Sequence, residues 1–458
     1  MRLRSHRHEK PVSTQPGAGA TAFEPTASCA VDLERPLRDL EIPASRSGGH
    51  YAHAHVLVRL HEEPLGIVTV DVVDGRLRAL EVAEAVLDSL LHELASHIRR
   101  NSCSRIPSHA GALLEPRRGP AACCRGARRS ADNALPLVAV IVPTAGRPDD
   151  LRRCLAHLTV LDYPRLEIIV VDNRPGEKTT RHVAEDAATD RRIRYVAEPR
   201  PGSSVARNRG LAETRADIVA FADDDVEVDP MWLRWMTEPF MQDEQVQVVT
   251  GLVLPAAYDT LEQQLFEEYA GFGKGFRRRV YDMGPNRPRG RKLYPYWGAP
   301  FGSGGSMAFR RQALVGIGGF DPALGTGSPA LAGADIESFT HIVLRGGRLV
   351  YEPRAILWHD HRRSEGALTR QLFTYAVGAT AILTKWLLRD PRVTLAIGRA
   401  LGSVIVSALR VSTGRASESP RELARLSRQL ALSSARSGLA RHLSGFAFGP
   451  PLYLRSRR

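Results

Sequence analysis

"IVAFADDDVEVDPMWL", Ile218 to Leu233, sets three consecutive carboxylates directly behind an apolar run, with a second apolar turn after Pro230. Like charges that close repel, and none ionises cheaply beside a core. Asp223, Asp224 and Asp225 therefore read as a site for a cation or for a cationic group of a substrate. A helix N-cap or a solvated turn is the plainer reading, and Pro230 does mark a helix start.

Working outward, "PLVAVIVPTAGRPDDLRRCLAHL" reads as buried strand, turn and helix. "LEIIVVDNRPG" is a second buried strand ending in an acid, and "IRYVAEPRPGSSVARNRGLAETRADIVAF" adds a short strand, a loop, a helix and a third apolar strand. Continuous apolar strands alternating with helices predict an α/β fold, a mostly parallel Rossmann-like sheet with helices on both faces. Ligands of such sheets bind at the carboxyl ends of strands. Those ends carry Thr144 and Arg147, Asp172 and Asn173, and the Asp triplet. An Asp-x-Asp at a strand end suits Mg²⁺ or Mn²⁺, which take carboxylate oxygens and bridge phosphates. Asp172 suits a ribose or base contact, or a helix cap.

The chain has 458 residues, 43% of them hydrophobic, and a net charge of +13. Lys occurs only five times, so nearly all the positive charge is Arg, a usage that follows genome base composition and does not itself call for nucleic acid. From Arg410 to Arg458 there are ten Arg against Glu418 and Glu422, a tail that fits an anionic membrane surface or plain solvation. The five Cys form no CxxC and no metal-ligand spacing. With no secretory apolar region at the N-terminus, they point to a reducing cytoplasm. No stretch has the length of a clean membrane span, the nearest being 393–409, interrupted by Arg399.

Five segments are expected: a disordered 1–50, a small α/β accessory module over 51–100, a linker over 101–135, the main domain over 136–365, and a helical, basic 366–458. In the accessory module Leu80, Val82, Val86, Leu90 and Leu91 recur at helical spacing. After Leu368, Leu372, Tyr375, Ala379 and Leu383 do the same, with Trp386 behind them and Pro391 as a stop. An Arg-flanked apolar helix pair there can pack on the main domain or lie in a membrane interface.

The order of strand-PTxxR, strand-Asp, ARNxGL and strand-DDD resembles the family 2 glycosyltransferases of the GT-A fold. The matching segments are "VIVPTAGRPDDLRRCL", "IIVVDNRP", "SVARNRGLAETRADIVAFADDDVEVDPMWL", "GSGGSMAFRRQALVGIGGFDP" and "GADIESFTHIVLRGGRLVYEP". The resemblance implies a metal-dependent, inverting transfer of a sugar from a nucleotide diphosphate sugar to a hydroxyl of a glycan, lipid-linked or small-molecule acceptor. Thr144 and Arg147 then stand beside the nucleotide, and Asp172 meets the base. Arg207 and Asn208 lie under the donor, with Asp224 secondary to the outer acids. Asp223 and Asp225 match the outer acids of the DxD signature. Asp335 matches the catalytic base, which takes the acceptor proton during attack. Ala334 stands where the family pattern has Glu, and Glu337 is the nearest substitute. In "ILWHDHRR", His359 matches a third metal ligand, His361 is the alternative, and Arg362 and Arg363 suit the diphosphate. Tyr296 and Trp297 suit a sugar face or the core. A cytoplasmic enzyme, peripheral on the inner face of the membrane, is the expected setting. Two other readings remain: a sugar nucleotidyltransferase, which would want a Lys that "PTAGRPDD" lacks, and a non-catalytic sugar-nucleotide-binding or scaffold protein.

Overall fold

The computed structural model describes residues 23–101, 109–115, 134–291, 293–296 and 299–395. The N-terminal part carries strands β1 (Thr26–Asp32), β2 (Leu40–Glu41), β3 (His53–Leu60), β4 (Glu63–Asp71) and β5 (Arg76–Leu77). Helices α1 (Ala79–Arg100) and α2 (Gly111–Leu114) follow. β3 and β4 form a hairpin whose two turn residues, His61 and Glu62, both take left-handed φ angles of 54° and 65°. That conformation matches the twist of the flanking strands.

Two expectations change here. The segment read as disordered contains β1, paired along its whole length with β3 and burying Ala27 and Val31. Its own sequence alternates weakly, so the partner sets its register. On α1, Val82, Val86 and Leu90 are buried as read, but Leu80 and Leu91 are 49% and 46% exposed. The buried stripe instead runs through Ala83, Leu94 and Ile98.

The main domain supplies β6 (Val138–Thr144), α3 (Pro148–Thr159), β7 (Leu166–Asp172), α4 (Lys178–Ala187), β8 (Ile193–Ala197), α5 (Ser203–Ala212) and β9 (Ile218–Ala222). Next come β10 (Val226–Val228), α6 (Trp232–Gln242), β11 (Val246–Pro255), β12 (Ala257–Tyr258), α7 (Leu261–Ala270) and β13 (Arg279–Tyr281). β14 (Ser306–Arg310), α8 (Arg311–Gly316), α9 (Ala334–Leu344), β15 (Arg348–His359) and α10 (Glu365–Arg389) complete it. One large sheet runs β10-β15-β11-β14-β9-β6-β7-β8, with β13 on the free half of β15. Strands β6 to β9, β11 and β15 point one way, while β10, β13 and β14 oppose them.

Apolar residues of each central strand divide between the two faces. Ala139, Ile141, Ile169, Val171, Val219 and Phe221 join the core under α5, α9 and α10. Val138, Val140, Ile168, Val170, Ile218 and Ala220 join the one under α3, α4 and α6. Burial on both faces is what the continuous apolar runs require. The small module is bound into this domain, since β12 extends its sheet to the order β12-β1-β3-β4.

α10 stops as read, ending at Arg389 before Pro391, but it starts at Glu365, ahead of Leu368, and its buried face differs. Val377, Ala381, Ile382 and Trp386 are buried, whereas Leu372, Tyr375, Ala379 and Leu383 are only half-buried. The helix packs through Gly378, where a Cβ would stand 2.8 Å from that of Ala332, so the contact stripe turns away from the larger residues. No described helix is long and apolar enough to cross a membrane. The second apolar segment past 395 and the basic tail lie outside the described residues.

Candidate active site

At the carboxyl ends of β6 and β9 the three acids part company. Asp224 points inward, with no exposed surface, and its Oδ2 accepts the Thr144 hydroxyl at 2.7 Å. Arg147, the residue before α3, places one guanidinium nitrogen 2.5 Å from Asp224 Oδ1 and another 2.6 Å from Asp225 Oδ2. Asp223 turns the other way and pairs with the buried Arg207 at 2.9 Å. Burial pushes the Asp224 carboxyl up to about 7 despite Arg147. Burial pushes Asp225 up as well, but His359, Arg147 and Arg362 outweigh it and hold that acid far below the usual carboxylate range. The adjacent charges are tolerable because one acid is driven toward its neutral form and another is surrounded by cations. Thr144, Arg147 and Asp224, read as donor contacts, are thus joined to each other and build the triplet from behind.

Antiparallel pairing of β10 with β15 sets Val226 opposite His359 and so brings the imidazole beside Asp225. His359 Nε2 lies 3.4 Å from Asp225 Oδ1, and its Nδ1 meets His361 Nδ1 at 2.8 Å. His361 Nε2 in turn meets Glu267 Oε1 at 2.8 Å. Burial lowers His359, yet the Asp225 carboxylate raises it overall. Burial lowers His361 against the pull of Glu267. Both nitrogens of His361 are engaged, one with His359 and the other with Glu267, so His361 holds the orientation of the His359 ring. Of the two arginines, Arg362 stays half-exposed and 3.6 Å from Asp225. Arg363 turns to Asp360 and Asp259, at 3.2 and 3.3 Å.

Gly304 and Gly305, just ahead of β14, bring the start of α9 to the triplet. Gly304 donates its N–H to Asp335 Oδ2 at 2.9 Å. A Cβ on Gly304 would fall 2.7 Å from Asp335 Oδ2, and one on Gly305 would fall 3.2 Å from Asp223 Oδ2. This glycine pair lies between the two acids; a Cβ at Gly304 would force Asp335 to move, and one at Gly305 would crowd Asp223. Asp335 sits in the first turn of α9. Ala334 is buried in the core, its Cβ facing Gly325.

Several expected residues are elsewhere. Glu337 is buried on the opposite side of α9, where it accepts from Lys385 Nζ at 2.6 Å. Asn208 gives both ends of its amide to the Phe320 backbone, at 2.7 and 2.8 Å, and holds that loop instead of a donor. Asp172 is at its strand end but fully buried, accepting from the Tyr195 hydroxyl and the Arg174 N–H. Asn173 beside it fastens Gly202 at the start of α5. Tyr296 is a core residue bonded to Asp390, and Trp297 lies outside the described residues. Sequence reasoning missed Gln371 and Tyr375 on α10. Gln371 Nε2 donates to the Tyr375 hydroxyl at 2.8 Å, and Gln371 Oε1 is buried without a hydrogen bond. Burial holds the Tyr375 phenol up and Gln371 pulls it down, with Asp335 and Asp223 near enough to raise it further. A polar pair four residues apart inside an apolar stripe was the available signal.

Among the described residues, no three His, Cys, Asp or Glu side chains converge as a ready ligand set. Asp223 is drawn to Arg207, which leaves Asp225 and His359 as a facing carboxylate and imidazole. Asp225 Oδ1 is buried without a hydrogen bond, and a carboxylate oxygen in that condition beside an imidazole fits a divalent cation.

Residues 139–318 match the family described as Glycosyl transferase family 2. The chain is similar to a pre-mycofactocin glycosyltransferase of Mycobacterium tuberculosis, 26% identical over 232 residues covering 49% of this chain and 43% of that protein. It is also similar to a probable glycosyltransferase, YdaM, of Bacillus subtilis, 27% identical over 264 residues covering 55% of this chain and 57% of the relative. The chain therefore spans about half the length of these curated relatives. Among solved structures, a mannosyltransferase of Pyrobaculum calidifontis, in complex with GDP-Man and Mn²⁺, aligns at 18% identity with a TM-score of 0.42, over 71% of this chain and 89% of that one.

Proposed function

We propose that this chain, a glycosyltransferase whose residues 139–318 form a family 2 domain of the GT-A α/β class, transfers a sugar from a nucleotide diphosphate sugar to an acceptor hydroxyl with inversion. The observation that carries the reading is the pair of acids, Asp223 and Asp335, set on either side of Gly304–Gly305 at the carboxyl edge of the sheet. One acid belongs to the donor side, the other to the acceptor side.

Asp335 takes the proton of the acceptor hydroxyl while that oxygen forms its bond to the anomeric carbon. The bond from that carbon to the diphosphate breaks on the opposite face, which inverts the configuration. Arg362, half-exposed beside Asp225, is placed to meet the leaving diphosphate. Mg²⁺ or Mn²⁺ held by Asp225 and His359, with Asp223 adjacent, would offset charge developing on the diphosphate. Arg147 and Thr144 keep the triplet in register, and His361 with Glu267 keeps His359 turned toward Asp225. Because the base is a lone carboxylate, Ala334 removes no group that the proton transfer needs. A cytoplasmic setting against an anionic membrane leaflet, with a glycan or lipid-linked acceptor, belongs to the same reading and rests on the Arg-rich stretch after Arg410.

The test is a thermal-shift screen of UDP-, GDP- and dTDP-sugars with and without Mn²⁺, followed by donor hydrolysis. A ligand of the native state alone raises apparent stability by mass action. A metal-dependent shift with one nucleotide class, and slow release of free sugar, is expected. No shift with any donor in Mn²⁺ would sink the proposal.

A further inference from the structure

The N-terminal module grips the catalytic domain at the segments that flank Asp225 and His359. Arg46 places Nη2 at 2.8 Å from Glu227 Oε1 and Nη1 at 2.6 Å from Asp360 Oδ2. Glu227 lies two residues beyond Asp225, and Asp360 directly follows His359. Arg59 pairs with Asp229 at 2.5 Å, while Ser45 and Tyr51 donate to Asp259 Oδ1 at 2.6 and 2.8 Å. Asp259 also faces Arg363, and β1 adds to β12 two residues before it.

Asp360 is the joint. Its N–H donates to the Asp225 carbonyl at 3.2 Å, tying the end of β15 to the triplet. Its carboxylate meets guanidiniums from three separate parts of the chain: Arg46 at 2.6 Å, Arg363 at 3.2 Å and Arg153 at 3.9 Å. β10, only three residues long, lies at the rim of the large sheet, held by β15. Of the three guanidiniums, that of Arg46 also reaches Glu227, so it links β10 to the residue after His359.

We propose that the module is part of the catalytic unit and that Arg46 is a positioning residue, fixing the separation of Asp225 and His359 through Glu227 and Asp360. The Arg46 side chain is 38% exposed, so its loss should hardly change global stability, and the effect should be local. A planar fork that reaches two carboxylates at once is also a task that Lys performs poorly.

The metal arm of the test rests on the proposed function; the second arm does not. Free Mn²⁺ is titrated by electron paramagnetic resonance in the full chain, in Arg46→Ala and in Arg46→Lys, with no donor present. Amide exchange is followed over 222–229 and 356–363, above all at the Asp360 N–H. Arg46→Ala should weaken Mn²⁺ binding about tenfold and speed exchange at those segments severalfold, with Arg46→Lys between it and the parent. Unchanged exchange in Arg46→Ala overturns the clamp, whatever the metal does. Exchange raised throughout the chain, with a large drop in Tm, overturns a positioning role in favour of a general structural one. If the parent binds no Mn²⁺ while the local exchange response is as expected, the metal reading fails and the clamp stands.

Discussion

The Asp-triplet side of the site and the α9 side treat their carboxylates in opposite ways. Asp225 is almost wholly buried and faces Arg147, His359 and Arg362. Asp335 is half-buried and accepts one backbone N–H, and no cation pairs with it among the described residues. In the proposed reaction, the carboxylate that would hold the cation stays charged among positive groups, and the one that would act as base has no cation paired with it. On the α9 side the cation, Lys385, is instead placed beneath, on Glu337 and Asp321, where it fixes the helix that carries Asp335.

The comparison breaks first at Asp335. Asp335→Asn keeps an oxygen for the Gly304 N–H but cannot accept a proton, so transfer should fall by about a thousandfold or more, roughly 4 kcal/mol of barrier. Donor affinity should stay within a few fold. Glu337 points toward Lys385, so no second carboxylate stands ready. Transfer at a tenth of the parent rate would show that another group is the base.

Next is the support beneath the acceptor side. Lys385→Ala leaves Glu337 buried, and Asp321 half-buried, without their shared partner, and breaking a buried pair costs about 3–5 kcal/mol. Chemical denaturation measures it, and pairing Lys385→Met with Glu337→Gln should recover part of the loss. A loss under about 1 kcal/mol would mean that the acids relax into water, as surface pairs do.

On the donor side, Asp225→Asn should lower donor affinity in Mn²⁺ by about 10- to 100-fold, or 1.4–2.8 kcal/mol, and leave affinity without metal unchanged. Asparagine is the cleaner probe because alanine would open a void between Arg147 and His359. Equal Mn²⁺ dependence in parent and variant would remove Asp225 from the metal site.

The sheet and the triplet were legible because continuous apolar strands and polar strand ends are local signals. Long-range pairing was not: β1 finds its edge partner at Ala257 and Tyr258, more than two hundred residues away, and nothing in "TASCAVD" announces it. The roles of Asn208 and Asp172 depended on which groups the fold brings to them, the Phe320 backbone for one and the Tyr195 hydroxyl with the Arg174 N–H for the other, and sequence carries no sign of that. Glu337 is different. Two residues along a helix are turned roughly 200° apart, so Asp335 and Glu337 never faced one site, and the helical period alone excluded the substitution.

The smallest effect concerns pH and sits on the same helix. His341 is held down to about 4, chiefly by burial and then by the nearby charges of Lys385, Arg345 and Arg389. Glu337 faces it as well, with Nδ1 to Oε1 at 3.8 Å. An unfolded histidine titrates near 6.5, so as pH falls the unfolded chain binds the proton first. Stability contributed above about 6.5 is therefore lost progressively down to about 4. The full shift corresponds to roughly 3 kcal/mol, and partial solvent access reduces the expectation to about 1–2 kcal/mol. Burial raises the Glu337 carboxyl, which works in the opposite direction but is present in parent and variant alike. Urea unfolding at pH 7.5, 6 and 4.5 should give a flatter profile for His341→Gln than for the parent. Trp386, whose ring lies 5.7 Å from the imidazole, gives a local fluorescence probe of the same titration. Parallel profiles for the two proteins would mean that His341 meets water as freely in the folded chain as in the unfolded one, and the acceptor side would lose its pH-sensitive support.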